Sequence, residues 1–238
     1  MMPGHLATRS LLAPPAAGVR RNRHAERDAG AFPTQIGATV TLCFHVEEPI
    51  FYDGDNADYF YVLAEGVARL CKVRANGRRQ IVRLVLPGEL FGFEVGTKHK
   101  LTADALSNVV VRRYPRSFME RFDNAGSDTG RMVMALLYRE RATAQHHLFM
   151  IGHRSAKERV ASFLLLLHAS KGIGVGKILD LPFGREDFAD YLGLTTETVS
   201  RVLTELRRAG SIKFLKNPRQ IMFRDLDTLR ALADGYGI

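Results

Sequence analysis

Between Thr39 and about Pro115 the apolar residues come in short runs, each cut off by turn-forming residues. The runs Val40-Thr41-Leu42-Cys43-Phe44, Tyr59-Phe60-Tyr61-Val62-Leu63, Val67-Ala68-Arg69-Leu70-Cys71, Ile81-Val82-Arg83-Leu84-Val85 and Val109-Val110-Val111 favour β-branched and aromatic side chains, which suit a pleated, half-buried surface. Asp53-Gly54-Asp55-Asn56, Glu65-Gly66, Asn76-Gly77 and Pro87-Gly88 separate them, and Asn76-Gly77 fits the positive-φ positions of a tight hairpin. Many short strands at this spacing predict a β-sandwich or barrel.

The period then changes. From about Ser127 to Ile151 only Gly130 interrupts a helical pattern that is apolar on two faces. Met132, Leu136 and Met150 share one face, and Val133, Leu137, Ala144, Leu148 and Ile151 another. Such a helix packs against two surfaces, here its own barrel and a partner subunit. Met132, Leu136, Thr143 and Met150 are the candidate dimer contacts, in a short seam because Arg139 and His146 interrupt it. A single buried helix in a monomer is the alternative. A second amphipathic helix spans Ala156 to His168, and the loop Lys171-Gly172-Ile173-Gly174-Val175-Gly176 reads as a connector. No helix opens directly on its glycines and no Gly-Lys-Ser/Thr follows, so it is not a phosphate loop.

The segment Arg185 to Leu203 predicts two helices joined at a tight turn. Phe188, Ala189 and Leu192 form an apolar stripe, Gly193 supplies a turn residue free of Cβ strain, Thr195 caps the next helix, and Val199, Val202 and Leu203 are its buried face. This is a helix-turn-helix, a shape that also occurs without DNA binding. The second helix presents Thr196, Glu197, Ser200 and Arg201 at its amino end, where a recognition helix meets base edges. Arg201 can donate bidentately to guanine, and Glu197 can accept from cytosine; a surface ion pair between them is the alternative. Arg201, Arg207, Arg208, Lys213, Lys216, Arg219 and Arg224 face one acid, Glu205, a density suited to phosphates. Ile212 to Leu215, the Lys216-Asn217-Pro218-Arg219 turn and Gln220 to Phe223 make a hairpin, the wing.

Composition narrows the partners. The 238 residues suffice for two modest domains, and a formal charge of +9 with pI near 9.8 attracts nucleic acid or an anionic membrane surface. Apolar runs such as Phe163 to Leu167 are far short of the roughly 20 residues of a membrane span. Leu11-Leu12-Ala13 is broken by Pro14-Pro15, which precludes a signal-peptide core, and residues 1–35, with only Glu26 and Asp28 as acids, read as a disordered basic tail rather than a transit peptide. Two cysteines, Cys43 and Cys71, make no disulfide scaffold and point to a reducing cytoplasm. No Ser/His/Asp order or metal-ligand spacing argues for an enzyme, and Glu47-Glu48 precede Pro49 in a turn-like setting.

The motif Glu197-Thr198-Val199-Ser200-Arg201 resembles the Glu-x-x-Ser-Arg of the FNR branch of the CRP/FNR regulators, and the whole helix-turn-helix is similar to FixK-type members. Gly54-Asp55, Asp58-Tyr59-Phe60-Tyr61, Gly66, Gly77-Arg78-Arg79-Gln80, Pro87-Gly88-Glu89 and Phe91-Gly92 match the same group, so the resemblance runs from about residue 36 to 230. It implies an α+β protein: a cyclic-nucleotide-binding-like β-roll over 36–126, a dimerisation helix over 127–151 and a winged helix-turn-helix over 152–238. It further implies a homodimeric activator working with RNA polymerase on a site like TTGAT-N4-ATCAA, controlling low-oxygen or nitrogen-fixation genes.

The sensing half departs from the family's better-known members. FNR-type iron–sulfur sensing needs four cysteines. This chain has two, and Cys43 with His45 on one strand face is an incomplete metal site read as core packing. Cyclic AMP binders follow the Gly-Glu turn with an Arg-Ser or Arg-Thr pair, whereas Gly88-Glu89 is followed by Thr97-Lys98-His99-Lys100-Leu101-Thr102-Ala103. Lys98 or Lys100 could serve only as a point charge, without arginine's bidentate fork. Phe183-Gly184 stand where some FixK-like relatives carry a cysteine. The expectation is a regulator with no cofactor and no obligate effector, set by its abundance. The alternative is gating by a small anionic ligand in the β-roll.

Overall fold

The structure, a computed structural model, describes residues 40–73, 79–120, 128–170, 176, 178–217 and 219–235. The basic segment 1–35, the Asn76-Gly77 turn and residues 171–175 of the connector lie outside the described residues. The amino-terminal strands are β1 (Val40–Phe44), β2 (Pro49–Phe51), β3 (Tyr59–Glu65), β4 (Ala68–Val73), β5 (Arg79–Val85), β6 (Leu90–Phe91), β7 (Thr102–Ala105) and β8 (Val109–Pro115). They form two antiparallel sheets, ordered β1-β8-β3-β6 and β2-β7-β4-β5, the β-roll that the short-strand pattern implied. Alternate residues point inward, so Tyr61, Leu63, Leu70, Val85, Ala103 and Val111 share one core. The strands β2, β6 and β7 gave little sequence signal, because two are three residues or fewer and Thr-Ala-Asp-Ala lacks large apolar side chains.

One turn shows how tightly the roll closes. Gly66 sits at φ 86°, and a Cβ there would lie 2.3 Å from the carbonyl oxygen of Asn108. Both backbone conformation and space therefore demand glycine.

Helices follow: α1 (Ser117–Glu120), α2 (Asp128–His153) and α3 (Ala156–Ser170). The carboxy-terminal elements are β9 (Ile178–Asp180), α4 (Arg185–Leu192), α5 (Thr196–Arg208), β10 (Ile212–Phe214), β11 (Gln220–Phe223) and α6 (Leu226–Ala233). The wing strands β10 and β11 pair antiparallel, and β9 adds to β11 as a third strand. Asp225 caps α6 through the Thr228 amide, and Leu226, Leu229, Leu232 and Ala233 bury its face. One apolar cluster unites Val67, Ile81 and Leu84 of the roll with Phe163, Phe188 and Val199, so the roll and the helix-turn-helix share a continuous core.

The rotational setting of α2 differs from the seam expected of Met132, Leu136, Thr143 and Met150. Leu136 packs with Val133 against Phe60, Val62, Leu90 and Tyr114 of the β-roll, and Met150, 3% exposed, lies in the core shared with the helix-turn-helix. Thr143 is half-buried, and the side chain of Met132 lies outside the described residues. Among the described residues, the large apolar side chains that α2 leaves in solvent are instead Met134, Tyr138, Leu148 and Phe149. Tyr138 stands two residues beyond Leu136, about 200° around the helix, so the exposed stripe lies on the side opposite the expected one. The stacked rings of Phe60 and Tyr114 (centroids 5.2 Å apart) belong to the cluster that takes up Leu136, one of the residues a partner was expected to cover. Cys43 also departs from its expected place in a core: it is exposed on β1, opposite Val110. Cys71 is buried, and its thiol is pushed up to about 12 by that burial, with the Asp104 carboxylate adding to it.

Gly66 and Gly88 separate crowding from backbone strain, since Gly88 has φ 87° but no atom within 4 Å of a Cβ. Gly88→Ala should cost about 1 kcal/mol from the strained φ alone. Gly66→Ala should cost about 2–5 kcal/mol, because overpacking adds to the strain. Thermal melts of the two variants check the difference; equal losses would mean that the Asn108 contact relaxes freely.

Candidate nucleic-acid interface

The geometry of the helix-turn-helix follows from three local choices. Gly193 takes φ 61° and ψ 41°, a left-handed C-cap, and its neighbour Leu194 donates its amide to Ala189 O at 2.9 Å. Thr195 Oγ1 accepts from the Thr198 amide at 3.2 Å, satisfying one of the free donors at the start of α5. Val199, Val202, Leu203 and Leu206 are buried, which fixes the helix about its axis and leaves the other side in solvent.

That outer side carries the predicted reading residues. Thr196, Glu197, Ser200 and Arg201 are all exposed at the amino-terminal half of α5. No ion pair joins Glu197 and Arg201 among the described residues, so the surface-pair alternative is not what the side chains adopt. Hydrogen bonds from its own backbone N–H and from the Thr195 hydroxyl hold the Glu197 carboxyl below the usual carboxylate range. Glu197 is therefore ionised at neutral pH and is an acceptor only. Glu205, the single acid in the basic stretch, is engaged by Lys157 of α3 at 2.8 Å, which lowers its pKa and offsets its charge.

The basic residues fall into distinct places. Ser200, Arg207 and Lys216 line a groove of about 300 Å³ between α5 and the wing, together with Arg185, Thr204 and Phe214. Lys213 is exposed on β10, and Arg208 is exposed at the end of α5. Arg219 follows the wing turn, where its amide donates to Asn217 Oδ1 at 2.9 Å, and it shares a smaller pocket with Arg185 and Phe188. Arg185 was not singled out from sequence. Its guanidinium lies over the Phe214 ring, 4.9 Å from the centroid, and its Nη1 is shielded from solvent without a protein acceptor. Burial lowers the pKa of this guanidinium, which lines the groove beside Ser200, Arg207 and Lys216. Its position at the start of α4, 15 residues before Ser200, hid this from a reading centred on α5.

The β-roll segment that departs from the cyclic AMP binders is filled by the protein itself. His99 is 2% exposed and stacks on Phe51 at 3.7 Å, and burial lowers its pKa. Lys98 donates to Asn56 Oδ1 at 2.6 Å. The carboxylate of Glu89, in the Gly-Glu turn, accepts from Arg83 at 3.1 Å and from the Leu86 amide at 3.2 Å. Among the described residues no group of three or more His, Cys, Asp or Glu could hold a metal ion, and no helix is long and apolar enough to cross a membrane.

Comparison with known proteins agrees with this division. Residues 42–124 match the cyclic nucleotide-binding domain and residues 158–232 match the Crp-like helix-turn-helix domain. The nitrogen fixation regulation protein FixK of Azorhizobium caulinodans is 40% identical over 212 residues, covering 86% of this chain and 84% of that one. FixK of Rhizobium meliloti is 39% identical over 198 residues, covering 83% and 89%. The solved structure of FixK2 from Bradyrhizobium japonicum superposes with a TM-score of 0.72 at 35% identity, covering 82% of this chain and 97% of that one. With its β-roll, its long helix and its winged helix-turn-helix, the chain belongs to the FixK-like branch of the CRP/FNR family of DNA-binding transcription regulators, which are not enzymes.

Proposed function

We propose that this protein is a homodimeric, cytoplasmic transcription activator that reads a TTGAT-N4-ATCAA-like palindrome and works with RNA polymerase at low-oxygen or nitrogen-fixation genes. The observation that carries the reading is the exposed amino-terminal face of α5, where Glu197 and Arg201 stand free of one another beside a groove lined by Arg185, Arg207 and Lys216. Base edges in the major groove are met by Arg201 and Glu197, with Thr196 and Ser200 beside them. Phosphates are met by Arg207, Arg208, Lys213, Lys216 and Arg219, and by Arg185. The names of the FixK relatives support the gene class.

Two such helices reach successive major grooves, roughly 34 Å apart, only in a dimer. The stripe Met134, Tyr138, Leu148 and Phe149 on α2 is the surface a second copy would cover. In the β-roll, Glu89 of the Gly-Glu turn is held by Arg83 and the segment that lacks the Arg-Ser/Thr pair packs His99 on Phe51, which supports DNA binding without an obligate effector.

Selection of bound sequences from a random DNA pool without added ligand tests the whole reading, and enrichment of a palindrome is expected. Binding that appears only after addition of cyclic AMP, or only anaerobically with iron, would overturn effector independence. Arg201→Ala should cost about 1–3 kcal/mol on the preferred site and far less on random duplex, and Glu197→Ala should relax preference at one base pair. Lys216→Ala and Arg185→Ala should weaken all duplexes alike and reduce the salt slope by about one each. Unchanged base preference in both α5 variants would remove this helix as the reader.

The dimer surface is tested by sedimentation. Leu148→Glu and Tyr138→Glu should shift the protein toward monomer at micromolar concentration with little change in Tm. Met150→Ala should instead cost about 2–5 kcal/mol of folding stability while leaving association intact. The opposite pattern would return the seam to the Leu136 and Met150 side.

A further inference from the structure

The β-roll holds a cluster of five charges that extends into the helix-turn-helix. Arg69 of β4 is 1% exposed, and its guanidinium donates to Glu47 at 2.6 Å, to Asp104 at 3.3 Å and to Asp187 of α4 at 2.9 Å. Arg79 of β5 approaches the same three carboxylates, at 3.4 Å from Asp187, 3.5 Å from Asp104 and 3.9 Å from Glu47. Asp104 stands directly opposite Arg69 in the β4–β7 register. Glu47 is the one non-glycine residue with positive φ among the described residues, at 64°, and its amide donates to Ala105 O at 2.7 Å. Burial works against the charge of Arg69, but Glu47, Asp187 and Asp104 together raise its pKa above the ordinary arginine value.

Within the β-roll the two arginines are already balanced by Glu47 and Asp104. Asp187 is the additional charge, and it comes from the first turn of the helix that precedes the reader. It also accepts from the Gly184 amide at 3.3 Å, so one side chain both caps α4 and ties it to the roll. Four residues along β5, Arg83 donates to Glu140 of α2 at 2.8 Å, so a single strand reaches both α4 and the proposed dimer helix. The reading residues Glu197, Ser200 and Arg201 stay exposed in this arrangement.

We infer that Arg69, Arg79 and Asp187 form an ionic tie that sets the orientation of the helix-turn-helix on the β-roll, and thereby the separation of the two recognition helices across a dimer. These are positioning residues: they touch no base, and they act through the placement of α5. The inference rests on the dimeric reading above for its effect on DNA, but not for the tie itself.

Two readouts keep those apart. The first is the distance distribution between spin labels on the exposed native Cys43 and on Asp227→Cys, a position 92% exposed, in labelled protein diluted into unlabelled chains. The second is affinity for the palindrome at its selected half-site separation, for the same site lengthened or shortened by about two base pairs, and for a single half-site. Asp187→Asn keeps an oxygen to cap Gly184 but removes the charge; Arg79→Gln, at a half-exposed position, removes one cation and carries the test should the first variant fold poorly.

Both variants should broaden the distance distribution and reduce the preference for the selected separation about tenfold, with half-site affinity within twofold of the unaltered protein. Asp187→Glu, which restores charge and cap, should recover the preference. A distribution and a spacing preference unchanged in both Asp187→Asn and Arg79→Gln would overturn the tie. A broadened distribution in a protein that shows no spacing preference even unaltered would uphold the tie and remove the dimeric operator.

Discussion

A guanidinium taken out of water is tolerated only when charged acceptors replace the hydration it loses. Arg69 meets that requirement with three carboxylates, one of them 118 residues away in the other half of the chain. Its burial is therefore complete only when the β-roll and the helix-turn-helix are together. The apolar core makes the same demand, because Val67, Ile81 and Leu84 find part of their packing among Phe163, Phe188 and Val199. The electrostatic and the hydrophobic parts of the interface thus require one relative placement, and the ion pairs add direction to a core that by itself is directionless.

Around that junction the helix α2 has two obligations. Its inner side closes the β-roll through Val133, Leu136 and Leu137, and its end enters the common core through Met150. His147 on the same helix stacks on Tyr191 of α4 at 4.3 Å. What remains outward is a stripe in which Tyr138 and Leu148 are more than 60% exposed. Large apolar side chains left this open on one helix face are costly in water, which is why this stripe is the surface proposed for a second copy.

The helix-turn-helix was legible because its determinants are local. Gly193, Thr195, Val199, Val202 and Leu203 each lie within about one helical turn of the next, and each took the conformation its chemistry dictates. The β-roll was legible in its long strands, but not in β7, whose Thr-Ala-Asp-Ala is a strand only because β2 and β4 flank it. The phase of α2 was not readable: two apolar stripes identify a helix with two neighbours, and the sequence does not say which stripe meets which neighbour. Nor could Cys43 be placed, since an edge strand such as β1 turns alternate residues to solvent. Arg185 and the Arg69–Asp187 pair were invisible for a common reason: their significance lies in partners brought near by the fold, not in neighbours along the chain.

The 13 residues of α5 divide cleanly between two tasks. Val199, Val202, Leu203 and Leu206 hold the helix in place, while Thr196, Glu197, Ser200 and Arg201 make no demand on the core. Exchange of Ser200 and Arg201, exposed and clear of the cap, leaves folding free energy nearly untouched, because surface positions away from caps and cores tolerate substitution within about 0.5 kcal/mol. On the proposed reading of α5, a lineage carrying this scaffold can therefore drift from one operator to another by single steps, and duplicated copies can part company in the promoters they serve without passing through an unfolded ancestor.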